Sequence, residues 1–160
     1  MHPTRNDLPK NKRQQSVDLL NPILAELLDL GLQAKQAHWN VKGPHFIALH
    51  ELFDDIYESI EALTDTVAER ITALGGVALG TLQSVDKLSE LTPYPVSISS
   101  GHQHVEALSM AIATCGKRVR RGIDKADKTG DKGTSDVCTE VSRTLDKHLW
   151  FVEAHAEGAR

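Results

Sequence analysis

Five side chains in the first half of the sequence are of types that bind metal ions: His38, His50, Asp54, Asp65 and Glu69. Successive members are twelve, four, eleven and four residues apart. Imidazole with carboxylate oxygen, and no thiolate, is a donor set that suits iron. Acidic residues along a helix also occur as a merely solvated face, so residue type alone does not decide. The elements that carry them do more.

From Phe46 to Leu74 there is no Gly or Pro. Phe46, Leu49, Phe53, Ile56, Ile60, Leu63, Val67, Ile71 and Leu74 recur in alternating steps of three and four, the pattern of an amphipathic helix. At about 100° per residue, Asp54, Asp65 and Glu69 fall within roughly 100° of arc from His50, away from the apolar stripe. The polar face is therefore not the one that closes the chain's own core.

Axial distance then constrains the site. His50 with Asp54, and Asp65 with Glu69, form two pairs whose centres are about 22 Å apart at 1.5 Å rise per residue. A metal bonded at about 2 Å reaches only one pair of a given chain. If the four serve one centre, the pairs come from two chains. A two-fold axis near the helix middle brings His50 and Asp54 of one copy against Asp65 and Glu69 of the other, twice. His38 lies before the HWNVKGP turn and folds back toward His50. The site expected is inter-subunit, with two His and three carboxylates. The usual Glu-x-x-His signature of a di-iron centre inside one bundle is absent, since no Glu has a His three residues later.

The chain resembles the Dps family (DNA-binding proteins from starved cells), the mini-ferritins. The resemblance rests on AHWNVKGPHFIALHE at 37–51 and on the Asp54, Asp65, Glu69 spacing that ends in Ala68-Glu69-Arg70. It extends through LGGVALGT at 74–81 and LDKHLWF at 145–151, and covers the chain from about Val17 to about Ala156. It implies that His38, His50, Asp54, Asp65 and Glu69 are the ligands of a ferroxidase centre. That centre holds two irons (Fe2+/Fe3+) at the two-fold subunit interface. It further implies a hollow homo-dodecamer that stores ferric mineral, with hydrogen peroxide or dioxygen as oxidant. Trp39 becomes an oxidisable ring beside the iron. Asp127, Asp131 and Asp136 become candidates for a three-fold pore that admits ferrous iron. The rival implication is a DNA-compacting structural protein with a minor iron role.

The remaining sequence supplies the frame. One domain of 160 residues, 40% apolar and 25% charged, has a globular composition. The net charge of −4 does not favour nucleic-acid binding by the body. Residues 1–15 carry Arg5, Lys10, Lys12 and Arg13 against Asp7 and read as a flexible basic arm. Several such arms on one oligomer would hold DNA without sequence preference, by avidity. The expected fold of 16–160 is all-α: a ferritin-like four-helix bundle with a long crossover between its second and third helices.

The first helix begins at Ser16 or at Asn21-Pro22 and ends near Val41. The crossover follows Gly75-Gly76 and carries a short helix over Ser84–Leu91. The third helix starts near Ser100, and a TGDKGTSD loop separates it from a fourth over about Ser135–Glu157. Asp136 there also suits the helix dipole. Cys115 and Cys138 fit no zinc spacing and read as buried, reduced hydrophobes. His148 falls near the apolar face and is expected to be hydrogen-bonded in the core. The HQH stretch at 102–104 is expected at the surface. With no signal-peptide core and no apolar run near about eighteen residues, the chain is expected in the cytoplasm, or at the nucleoid if DNA is bound.

Overall fold

The computed structural model describes residues 1–156. Its first helix, α1, spans Lys10–Asn40. It begins six residues before Ser16, so three of the expected arm's four cations, Lys10, Lys12 and Arg13, lie on a helix. The Asn21-Pro22 pair lies inside α1 and does not start it. Asn21 is buried and serves as a clip. Its amide donates to the Val77 carbonyl at 3.1 Å, and its Oδ1 accepts the Leu79 N–H at 2.9 Å. Pro22 leaves the Asp18 carbonyl without its helical donor, a local loss the surrounding packing absorbs. The early turns are held by tertiary bonds. Arg13 donates from Nε to the Leu8 carbonyl at 3.0 Å and from Nη1 to the Leu74 carbonyl at 2.9 Å. Ser16 donates to Asp131 at 2.7 Å. Such contacts override the weak signal of a cap residue.

Helix α2 spans Phe46–Ala73 and buries Leu49, Phe53, Ile56, Ile60, Leu63, Val67 and Ile71, the predicted stripe except for Phe46, which is exposed at the helix start. It stops at Gly75, which adopts φ +84° and accepts the His2 N–H at 2.6 Å. A Cβ there would stand 2.6 Å from the His2 carbonyl oxygen, so the position requires glycine.

The crossover contains α3 (Leu82–Leu88), which packs on α1. Side chains pin it along its length. Ser89 donates to Asp29 at 2.6 Å, and Gln33 donates to the Thr92 carbonyl at 3.3 Å. Arg118 joins Glu90 of the crossover to buried Glu26 of α1. Tyr94 shares a 2.6 Å hydrogen bond with His104. His104 is therefore in the interior, 1% exposed, and not at the surface where the HQH stretch placed it. Burial lowers its pKa.

Helix α4 spans Gly101–Thr129 and opens on a capping box, with Ser100 accepting the Gln103 N–H at 3.3 Å. The Lys42 N–H donates to the Ser99 carbonyl at 2.8 Å, which sets the start of α4 beside the end of α1. The Ser16–Asp131 bond sets the far end of α4 beside the start of α1. Helix α4 is thus antiparallel to α1 and parallel to α2, as a crossover demands.

Only Gly130 and Asp131 separate α4 from α5 (Lys132–Ala154). The expected TGDKGTSD loop is a tight corner because Gly130 takes φ +81° and Asp131 caps the next turn by accepting the Thr134 N–H at 3.0 Å. The expected end of the last helix, Glu157, lies outside the described residues. No strand occurs among the described residues. The α1–α2 and α4–α5 hairpins pack into an all-α four-helix bundle filled mainly by Leu, Ile, Val and Phe53. Cys115 and Cys138 are buried free thiols, and burial pushes the Cys138 pKa up to about 12. His148 is in the core, but its Nδ1 has no hydrogen-bond partner.

Candidate metal centre

His38 sits in the last turn of α1 and His50 in the first turns of α2, and the five residues between the helices fold the two together. Their rings stack with centroids 3.7 Å apart and planes 21° apart. His38 Nδ1 lies 2.7 Å from the backbone oxygen of His50, and His50 Nδ1 lies 2.8 Å from that of His38. A carbonyl oxygen only accepts, so both Nδ1 atoms carry the proton. In each neutral ring the lone pair then falls on Nε2. Fixing the tautomer through the other ring nitrogen is how proteins prepare a histidine to bind metal.

Asp54 follows His50 by one turn. Its carboxylate is 38% exposed and accepts from Lys35 Nζ at 2.6 Å. That hydrogen bond, working against slight desolvation, holds Asp54 below the usual carboxylate range. The ammonium also lies 5.8 Å from the centre of the Trp39 ring and 5.1 Å from that of Tyr57. Trp39 itself is 66% exposed. Lys35 and Tyr57 escaped the sequence reading. Their only signal was helical register: Lys35 one turn before His38, Tyr57 one turn after Asp54.

Asp65 and Glu69 are exposed on the same face of α2, farther along the helix. Neither side chain has a hydrogen bond or ion pair within the chain, among the described residues. One protomer thus pairs His38 with His50, ties Asp54 one turn on to Lys35, and leaves Asp65 and Glu69 farther along α2. Among the described residues, no group of three or more His, Cys, Asp or Glu is close enough in one chain to hold a metal.

The acids at the α4–α5 corner divide. Asp127 is exposed and pairs with Lys132 at 2.7 Å; the Lys132 and Ser135 hydrogen bonds keep its pKa low. Asp136 is exposed. Asp131 is 1% exposed and occupied by four hydrogen bonds, from Ser16, from Arg70 and from both the hydroxyl and the N–H of Thr134. Burial raises its pKa, but those bonds outweigh burial and leave it lowered. Asp131 is a structural cap in this chain, and a pore lining would fall to Asp127 and Asp136.

The four arm cations also divide. Arg5 and Lys10 are exposed, Lys12 and Arg13 are half-buried on the first turn of α1, and Arg13 is tied to two carbonyls.

The ferritin-like domain family matches residues 17–160. The DNA protection during starvation protein of Agrobacterium fabrum (strain C58 / ATCC 33970) is 46% identical over 98% of this chain and 96% of its own length. The solved structure of Mycobacterium smegmatis Dps superposes with a TM-score of 0.93 at 33% identity, over 99% of this chain and 90% of that one. A Dps structure from Vibrio cholerae O1 is described as a member of a broad superfamily of ferritin-like diiron-carboxylate proteins. It superposes with a TM-score of 0.89 at 25% identity, over 96% of each chain. With the crossover bundle and these matches together, the chain belongs to the ferritin-like family, among its Dps proteins.

Proposed function

We propose that this protein oxidises ferrous iron at centres shared between two copies and stores the ferric product in a twelve-subunit shell. The observation that carries this reading is the His38–His50 pair. Each ring spends its Nδ1 on a backbone carbonyl and so keeps Nε2 for a metal, Asp54 follows His50 by one turn, and Asp65 and Glu69 lie about 22 Å along the same helix face. A second copy related by a two-fold axis supplies the missing carboxylates to each centre.

Iron is the substrate. Hydrogen peroxide takes two electrons, and two ferrous ions held side by side give one each, so peroxide and two protons become two waters. Paired delivery avoids releasing hydroxyl radical. Carboxylates favour the ferric charge, while neutral imidazoles keep affinity moderate enough for product to leave toward the mineral. Ferrous loss by the purified assembly, followed with and without peroxide alongside its mass, tests the reading. Iron left ferrous under both peroxide and air, at sites saturated with metal, overturns it.

Lys35 sets a further expectation. Its ammonium must leave Asp54 before a cation can bind there. Lys35→Met should tighten zinc binding, read by calorimetry on the assembly, by roughly fivefold, the scale of a half-exposed ion pair.

The second reading is non-specific DNA binding, favoured by the relatives' name and by exposed Arg5 and Lys10. DNA retention in a gel that disappears when Arg5 and Lys10 are both replaced by Glu would support it. The helical placement of Arg13 and the net charge of −4 weigh against it. No helix among the described residues is long and apolar enough to cross a membrane. The setting proposed is the cytoplasm, or the nucleoid when DNA is held.

A further inference from the structure

Helix α4 carries Lys117, Arg121 and Lys125 at steps of four, so the three stand on one stripe. All three are exposed. None of their side chains has an ion pair or hydrogen bond within the chain, among the described residues. Other cations of this region are matched. Arg118 is joined to Glu26 and Glu90, Arg120 pairs with Asp146 at 2.8 Å, and Lys132 pairs with Asp127 at 2.7 Å. Like charges one turn apart weaken a helix, and here no acid of the same chain offsets them.

The stripe forms one wall of a cavity of about 360 Å³ between α4 and α1. Three acids face the same space: Asp18 and Glu26 of α1, and Glu90 of the crossover. Two of them, Glu26 and Glu90, share Arg118. The third, Asp18, accepts from Gln14 at 2.8 Å and reaches no cation. The cavity therefore holds three uncommitted positive charges against one uncommitted negative charge.

We propose that this groove binds a small anion carrying several phosphate groups in a row. Lys117 and Lys125 are about 12 Å apart along the helix axis, a distance that one phosphate does not bridge. Arg121 between them offers a planar fork matched to phosphate oxygens, and the two lysines add compact point charges. The cavity is of the size that takes a small ligand. A DNA duplex does not enter it. Packed helices stand about 8–10 Å apart, whereas the major groove of a duplex is by itself about 12 Å wide. Asp18 and the 78%-exposed Glu90 also repel a backbone laid across the rim. Leu19 and Pro22 give the α1 wall an apolar strip, against which an uncharged end of the ligand can lie. The inference involves no iron and stands apart from the ferroxidase reading.

Titration calorimetry on the intact assembly tests it. The protein is freed of metal beforehand, so that no cation at the histidine pair can hold phosphate. Sodium tripolyphosphate should bind saturably, at about one per chain, and more weakly as salt rises. Arg121→Gln should weaken it about fivefold, the scale of one exposed charge contact. Lys117→Gln with Arg121→Gln should remove saturable binding. Arg143→Gln, the same charge change at an exposed position on α5, should leave it intact. A nucleoside triphosphate run in parallel distinguishes the sources. Equal affinity means that the phosphates alone are recognised, and tighter binding means that the Leu19–Pro22 strip contributes. Three results overturn the proposal: no saturable heat with either phosphate compound, a loss as large in Arg143→Gln as in the double variant, or binding of a DNA duplex without tripolyphosphate. A double variant whose assembly falls apart on a mass measurement also overturns it, because the stripe then serves a contact between copies.

Discussion

Chains carrying His50→Ala with Asp54→Ala fail to oxidise ferrous iron, chains carrying Asp65→Ala with Glu69→Ala fail equally, and the two assembled together recover about a quarter of wild-type activity. That is the expected result if each centre takes its histidine side from one copy and its carboxylate side from the other. In a mixed pair, one centre receives both lesions and the other receives none. Random pairing makes about half of the pairs mixed, each with one of two centres whole, which gives the quarter. A centre built within one chain gives no recovery, because every copy is then damaged. Co-expression followed by stopped-flow oxidation under peroxide measures it, with the mass of the assembly checked to show that pairing occurred.

The second large effect concerns Asp131. Replacing it by Ala strands the Arg70 guanidinium, the Ser16 hydroxyl and the first turn of α5 without their shared acceptor. Breaking a buried charge pair from one side costs about 3–5 kcal/mol, so the urea midpoint of Asp131→Ala should fall steeply at neutral pH. Asp131→Asn, which can still cap α5, should lose less. The pH dependence has a definite sign. The folded-state pKa of Asp131 is lowered, so its contribution is fully present above the ordinary aspartate value of about 3.9. It fades as pH falls through the lower folded value. The gap between wild type and Asp131→Asn should therefore narrow in acid. A gap that widens in acid, or an Asp131→Ala midpoint equal to wild type, contradicts this account.

Much of the fold could be read from the chain because it is written in local patterns. The stripe of α2 and the Gly75 stop are properties of consecutive residues, and both are where periodicity put them. The start of α1 was not legible. Arg13 finds Leu74 across 61 positions, and Asn21 uses its side chain on Val77 and Leu79 where a cap was expected. The α4–α5 corner was over-read as a loop because polar, Gly-containing sequence also suits a helix start whose first turn is capped by Asp131. His104 looked exposed beside His102. Its spacing of four from Leu108 and seven from Ala111, both buried, was the overlooked sign of an inward face. At the candidate centre, spacing along one helix named the carboxylates. The Lys35–Asp54 pair joins two helices whose relative rotation no single-helix pattern records.

On the proposed reading, the placement of the histidine-bearing cluster and the carboxylate pair at opposite stretches of α2 acts as a safety interlock. A newly made protomer carries two halves and no whole, so it has no means of drawing peroxide and iron together while it is alone. Chemistry switches on only when a companion docks, and docking is the step that also begins to wall the products off from the rest of the cell.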